Sequence, residues 1–254
     1  MKIKKKISRK ELLRQEDEFV STTHKVMEWL KDKQNQQILA ATIIAVILVV
    51  LVGLGIRFNI KSKKENSQKL YTLAMQTYQA SVATQSQNQS QPVPSQFKTM
   101  EEKYSKALEE FDQVITLYPR SKAAENARFF KLNCLYYLGR YDEVINRAQE
   151  YIKKYPNGQF GIQALITIAY SYEQKKELPQ ACEIFNSILD KHQDYLLRDS
   201  IYMDLGRCYE ELNDMDKATE AYQQVLINFP QSVFVKEAEK RLEISTAQKS
   251  TTQK

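Results

Sequence analysis

The chain has 254 residues, of which 43% are hydrophobic and 27% are charged, a balance that is ordinary for a globular protein. Its net charge of +6 comes from residues 1–65, which hold 14 Lys/Arg and 7 Asp/Glu, because residues 66–254 hold the other 23 basic and 24 acidic residues. A near-neutral C-terminal part gives no support to nucleic-acid binding, whereas the basic N-terminus predicts contact with an anionic membrane surface.

Residues 12–30 repeat apolar side chains at three- and four-residue spacing, including Leu12, Phe19 and Trp29. This spacing predicts an amphipathic helix within a cytosolic segment at residues 1–37. Such a helix would lie on the inner leaflet or dock on the cytosolic face of a membrane partner. A plain helical lead-in that steadies the following segment is the alternative.

Residues 38–56 form 19 consecutive residues without a charge, ILAATIIAVILVVLVGLGI. At about 1.5 Å per residue, a helix of this length spans a hydrocarbon core of about 30 Å. The sequence from Arg57 onward has no small-x-small cleavage site and no lipidation cysteine. We therefore predict an uncleaved signal anchor with one transmembrane helix, rather than a cleaved signal peptide.

The flanking charges bear on the orientation of this helix. Ten Lys/Arg precede the span and five lie in residues 57–69, which favours a cytoplasmic N-terminus. Counting only the nearest twenty residues on each side reverses the bias, with three basic residues before the span and five after it. A short tail before a large C-terminal domain is the usual arrangement of a signal anchor. We predict that the N-terminus is cytoplasmic.

A 37-residue period dominates residues 104–244. It relates three sets of positions: Ala107, Val144, Ala181 and Ala218; Phe111, Ala148, Phe185 and Tyr222; and Pro119, Pro156, Gln193 and Pro230. A strict period with small, aromatic and proline positions predicts an all-α fold, a helical-hairpin solenoid behind the transmembrane helix. Residues 57–254 form this domain.

Each hairpin has a leading and a trailing helix. Leading helices are predicted at residues 122–138, 160–175 and 197–212, and trailing helices at 141–154, 179–191 and 216–228. A looser first hairpin pairs residues 70–81 with 97–117 through a Gln/Ser-rich, flexible insertion at 84–96. The prediction is thus about four hairpins, a capping helix at 233–244 and a polar tail at 245–254.

The hairpins also carry a family resemblance. The stretches Leu138-Gly139-Arg140-Tyr141-Asp142-Glu143-Val144-Ile145 and Leu205-Gly206-x-x-Tyr209, with Ala218, Tyr222 and Pro230, resemble tetratricopeptide repeats (TPR). The sequence departs from that pattern in its period of 37 rather than 34, in Arg128 and Lys131 at usually apolar positions, and in Gln193 where a proline is usual.

The longer period and the phrase at residues 118–127 resemble TPR proteins of the bacterial envelope. The layout of short lead, single anchor and C-terminal array is similar to the YfgM-type ancillary subunit of the bacterial Sec translocon. This resemblance implies a single-pass protein of the bacterial inner membrane, with its array in the periplasm.

The resemblance further implies that the leading helices line a concave peptide groove. The groove candidates are Asn126, Phe129, Asn133, Tyr136, Gln163, Ile166, Tyr170, Glu173, Ser200, Met203, Arg207 and Glu210. Aromatic and amide side chains at these positions would suit an extended or helical peptide. The groove lacks the Lys/Arg set that grips a C-terminal carboxylate in chaperone-adaptor members. The alternative is that several of these residues only pack between repeats.

The sequence predicts no enzyme, no cofactor and no metal site. The two histidines, His24 and His192, belong to different parts of the chain, so no histidine-based triad or two-histidine metal site can assemble. Three cysteines, Cys134, Cys182 and Cys208, have no C-x-x-C spacing and are predicted to be small buried residues. A Cys182–Cys208 bridge between neighbouring repeats stays open.

The prediction is therefore a membrane-anchored, non-enzymatic scaffold or chaperone-like protein that binds polypeptides at the extracytoplasmic face of the inner membrane. Its partners would be translocon or envelope-complex subunits and unfolded or secreted polypeptides. The first alternative is an envelope assembly or cell-division TPR factor. With inverted topology the chain would be a cytosol-facing sorting receptor, and a hydrolase is the last alternative.

Overall fold

The computed structural model describes residues 21–83 and 97–252. The basic residues before Ser21 and the predicted insertion at 84–96 lie outside these ranges. Residues 21–31, from the predicted amphipathic segment, are helical. The chain divides between Lys63 and Lys64 into two compact units, the second of which is the helical array.

Helix α1 (Lys33–Gln79) contains the predicted span at residues 38–56 and continues beyond it without a break. Residues 57–64 contain no proline or glycine, so nothing in the sequence ends the helix there. The large apolar side chains of the span are exposed, as Val49 shows at 72%. Within the described residues, α1 is the one helix that is long and apolar enough to cross a membrane, judged by length and composition.

The array from Lys64 onward consists of the C-terminal part of α1 and eight further helices in the described residues. These are α2 (Met100–Leu117), α3 (Lys122–Tyr137), α4 (Tyr141–Lys154), α5 (Gly161–Gln174), α6 (Leu178–Lys191), α7 (Arg198–Glu211), α8 (Met215–Asn228) and α9 (Val235–Thr252). The trailing helices α2, α4, α6 and α8 end at residues spaced by 37. The predicted all-α solenoid of helical hairpins is confirmed.

The turn inside each regular hairpin repeats with the same period. Gly139, Lys176 and Asn213 each have a positive φ, of 73°, 62° and 58°. A left-handed residue after a helix lets the next amide groups satisfy the last helical carbonyls. In the first turn, the Arg140 amide donates to the Leu135 carbonyl at 3.0 Å. The fixed turn geometry therefore sets how each trailing helix folds back on its leading helix.

The periodic small and aromatic positions form the core. Ala107, Val144, Ala181 and Ala218 are all 0% exposed, and so are their partners four residues later, Phe111, Ala148, Phe185 and Tyr222. The three cysteines are also buried and their thiols are free. The predicted role of the period in packing the helices together is thus seen directly in the burial pattern.

Helix α9 differs from the sequence expectation at its end. The predicted cap stops at Ile244 and gives way to a polar tail, whereas α9 continues to Thr252. No proline or glycine occurs in residues 235–252, so polar composition alone does not end the helix. Ser245, the first residue of the predicted tail, is only 1% exposed, because it packs on the array.

We predict that Gly206→Ala destabilises the array. A Cβ at this position in α7 would lie 2.4 Å from Cε1 of the fully buried Tyr222 ring. Overpacking of this kind costs about 1–3 kcal/mol, which outweighs the gain of about 0.5–1 kcal/mol from replacing a helical glycine with alanine. Urea unfolding of the full chain in a nonionic detergent, followed by circular dichroism, measures the difference.

Gly161→Ala in α5 is the matched control, because a Cβ there would meet nothing within 4 Å. Its free energy of unfolding should be unchanged or slightly higher. Equal stability of the two variants would contradict the close packing of α7 on α8.

Candidate functional site: the leading-helix strip

Ten of the predicted groove residues lie half-buried on the leading helices α3, α5 and α7. We call this set the leading-helix strip: Asn126, Asn133, Tyr136, Gln163, Ile166, Tyr170, Glu173, Ser200, Arg207 and Glu210. Within each helix these residues are spaced by three, four or seven, so they share one helix face. Helix α3 contacts α5, which brings the first two parts of the strip side by side.

Two groove candidates, Phe129 and Met203, are not on this surface. Phe129 is 6% exposed and stacks on Phe160, with ring centroids 4.4 Å apart. Met203 is 1% exposed and belongs to a core cluster with Tyr222 and Ala238. Their predicted place on an accessible groove surface is therefore wrong, because the following hairpin or the cap covers them.

The amides of α3 face tyrosines on the array part of α1. Burial raises the pKa of Tyr78 to about 12, and a hydrogen bond from the Asn133 side chain partly opposes this rise. Burial likewise raises the pKa of Tyr71, against a hydrogen bond with Asn126. Asn126 and Asn133 thus help to join the first leading helix to the second, which reduces what they can offer to a ligand.

A polar network joins α5 to α7. The Tyr170 hydroxyl donates to Oδ2 of Asp204 at 2.7 Å, and Arg207 forms an ion pair with the same carboxylate. Asp204 is 4% exposed. Its burial raises the pKa of the carboxyl, while the bond from Tyr170 and the Arg207 charge lower it. The guanidinium of Arg207 stays accessible, since its side chain is 40% exposed.

The second contact in this network is between Glu173 and Cys208. The Cys208 thiol donates to Oε1 of Glu173 at 3.1 Å, and Cys182 lies within hydrogen-bonding range of the same thiol. These contacts and burial raise the pKa of Cys208, and burial raises that of Glu173. The thiol therefore stays protonated and serves as a donor between repeats.

The last residue of the strip, Glu210, is bonded to the capping helix. Arg241 on α9 donates from Nη1 to Oε2 of Glu210 at 2.9 Å. Sequence reasoning missed both Asp204 and Arg241. The sequence did carry a signal, because Asp204 and Arg241 are 37 residues apart. They therefore occupy equivalent positions, one on a leading helix and one on the capping helix.

What remains accessible is chemically mixed. Tyr136, Ile166 and Arg207 present an aromatic ring, an aliphatic side chain and a guanidinium from three successive leading helices. Such groups contribute buried contact area and hydrogen bonds, as the side chains of peptide-recognition surfaces do. No group of three His, Cys, Asp or Glu in the described ranges is arranged to hold a metal ion.

The array matches a known repeat family. The tetratricopeptide repeat family matches residues 163–195 and 201–232, which cover most of the α5–α6 and α7–α8 hairpins. These matches and the helical hairpins together define a TPR-like solenoid.

The general transcriptional corepressor trfA of Dictyostelium discoideum is 32% identical to this chain over 98 residues. That match covers 37% of this chain and 7% of the corepressor, so the chain spans a small fraction of this curated relative.

Solved structures show the same kind of likeness. A tetratricopeptide repeat protein of Parabacteroides merdae ATCC 43184 is 15% identical, with a TM-score of 0.48, over 57% of this chain and 55% of that one. MamA residues 41-end from Desulfovibrio magneticus RS-1 is 18% identical, with a TM-score of 0.43, over 51% and 68%. A putative kinesin light chain of Podosopora anserina with TPR-like repeats is 13% identical, with a TM-score of 0.48, over 75% and 98%.

We predict that Tyr170→Phe raises the pKa of Asp204 and destabilises the array. The hydroxyl that is lost donates the hydrogen bond that lowers the pKa of Asp204. A hydrogen bond to a charged group contributes about 1.5–3 kcal/mol to stability. The pKa of Asp204 in the folded chain already lies above the ordinary 3.8, so the folded state favours the protonated carboxyl. The stability that this protonation contributes is therefore fully present below 3.8 and is lost as the pH rises through the folded pKa. The loss should be largest above that pKa and smaller below it.

Carboxyl NMR of Asp204 across pH measures the pKa, and urea unfolding on both sides of it measures the stability. Tyr172→Phe on the same helix is the matched control and should leave the Asp204 titration unchanged. A stability loss that is the same at every pH would contradict the assignment.

Proposed function

We propose that this chain is a membrane-anchored scaffold whose array binds other polypeptides. The observation that carries the proposal is the accessible part of the leading-helix strip, Tyr136, Ile166 and Arg207, on a TPR-like solenoid. Aromatic side chains supply contact area at low entropic cost, and an arginine adds hydrogen-bond donors, which is what a polypeptide-binding surface needs. Binding is the activity that these side chains support.

The proposal includes a membrane location. Helix α1 supplies a segment with the length and composition of a membrane span, and a basic N-terminal segment precedes it. We propose a single-pass protein of the bacterial inner membrane with its N-terminus in the cytoplasm and its array in the periplasm. Anchoring raises the effective concentration of the strip for polypeptides that emerge at the same membrane.

The finer proposal is an ancillary, chaperone-like role at the Sec translocon. It is supported by the layout of lead, anchor and array, which resembles that of the YfgM-type subunit. A scaffold at this place would meet unfolded secreted chains before they fold, and a mixed aromatic, aliphatic and guanidinium surface suits such varied sequences.

The topology makes the first prediction of this proposal. In intact spheroplasts of a bacterial host, protease added from outside should digest the array from Lys64 onward. A cytoplasmic protein expressed in the same cells should stay intact, which controls for lysis. Full protection of the array until the spheroplasts are lysed would contradict the periplasmic location and favour a cytosol-facing receptor.

Site-specific crosslinking makes the second prediction. A photoreactive amino acid at Tyr136, Ile166 or Arg207 should crosslink to secreted polypeptides in cells, and an excess of a denatured secreted protein should compete in membranes. The matched controls are Gln149 and Glu220, which are exposed on trailing helices and lie off the strip. Adducts with translocon subunits would support the finer role, whereas equal adduct yields at strip and control positions would overturn the strip as the binding surface.

A further inference from the structure

The junction between the looser first hairpin (α1–α2) and the first regular hairpin (α3–α4) has an unusual cavity. It has a volume of about 210 Å³ and lies among α2, α3 and α4. Its charged lining consists of four cations, Arg128, Lys131, Arg147 and Lys154, and two carboxylates, Asp112 and Glu150. The lining therefore carries a net charge of +2 in an array that is otherwise near neutral.

The same junction one repeat later is apolar. A step of 37 residues takes Arg128 to Leu165, Lys131 to Ile168 and Arg147 to Ile184. Ile168 is 2% exposed, and Ile184 packs against it in one hydrophobic cluster. The array therefore packs the junction between its first two regular hairpins with apolar side chains, whereas the α2–α3–α4 junction carries Arg and Lys at the equivalent positions.

Placing charged side chains at this junction costs stability. Lys131 has a side-chain exposure of 14%, and burying an ammonium is unfavourable unless it is paired. Asp112 pairs with Lys131 at 2.5 Å, but Asp112 itself is 46% exposed. The packing therefore holds the ammonium of Lys131 at the cavity and leaves its counter-ion at the edge, where another anion can take its place.

Two of the four cations have no carboxylate partner in the described part of the chain. Nη1 of Arg128 donates to neutral acceptors, the Ala124 carbonyl at 3.1 Å and the Tyr155 hydroxyl at 3.2 Å. The ammonium of Lys154 lies 5.5 Å from the centroid of the Tyr155 ring. A guanidinium held in place by neutral acceptors keeps its full charge and can donate further to an oxyanion.

We propose that this cavity binds a phosphate-type dianion, with Arg128 and Lys131 as its main ligands and Lys154 at its rim. The net charge of the lining matches that of such an anion. The space suffices for a phosphate group and a few waters, since one water takes up about 30 Å³. Free phosphate, a soluble phosphomonoester and a phosphomonoester lipid headgroup share this chemistry. The site lies off the leading-helix strip and does not depend on the polypeptide-binding role.

The test uses the full chain in a maltoside detergent, titrated with inorganic phosphate in a calorimeter at constant ionic strength. We expect saturable binding that chloride does not reproduce. Arg128→Leu/Lys131→Ile installs the residues of the next junction, so the array should stay folded by circular dichroism. Its affinity for phosphate should fall by about tenfold or more, because two charge-assisted hydrogen-bond donors are lost.

Two further measurements make the result decisive. Lys236→Leu/Lys240→Ile removes the same charge from the exposed face of α9 and should leave the affinity unchanged. Nanodiscs with and without phosphatidic acid test the headgroup source, and binding there that needs Arg128 and Lys131 would also support the site.

Phosphate binding that survives in Arg128→Leu/Lys131→Ile would overturn the proposal, and so would an equal loss in the α9 control. Absence of saturable binding to both inorganic phosphate and phosphatidic acid nanodiscs would do the same.

Discussion

The close approach of leading and trailing helices is the constraint on which the array depends. It is enforced by a small side chain every 37 residues, at Ala107, Val144, Ala181 and Ala218, each with no exposed surface. A repeat of this kind contacts only its neighbours, so the whole array is stabilised by a series of similar local interfaces. The packing within each hairpin fixes the position of its leading helix. Successive leading helices therefore meet in the same register, and this register aligns the residues of the leading-helix strip.

The strip serves two purposes that compete. Tyr170, Glu173 and Glu210 use their oxygen atoms in hydrogen bonds to the neighbouring leading helix or to the cap. These bonds satisfy buried polar groups and hold the repeats together. A residue that joins repeats is less free to bind a ligand. The binding surface therefore consists of the accessible side chains of the strip, Tyr136, Ile166 and Arg207.

The period made much of the fold predictable from the sequence. Helix ends, left-handed turns and the buried small positions all recur at 37 residues, so one repeat predicts the next. Burial across repeats was less predictable. Phe129 and Ile166 occupy equivalent positions, yet Phe129 is buried by Phe160, a residue of the following hairpin whose approach no spacing within α3 reveals. The length of α9 was missed for a related reason, since a polar helix and a polar tail have the same composition.

Departures from an internal repeat are informative because the repeat supplies its own control. At positions 165 and 168 the array places Leu and Ile, and the junction packs as an apolar cluster. At positions 128 and 131 it places Arg and Lys in the same local geometry, where stability alone favours apolar side chains. Sequences that specify one fold agree across levels, and the local conflicts that persist are found mostly at functional sites. The charged junction is such a conflict, and its position away from the leading-helix strip gives the array a second surface with a chemistry of its own.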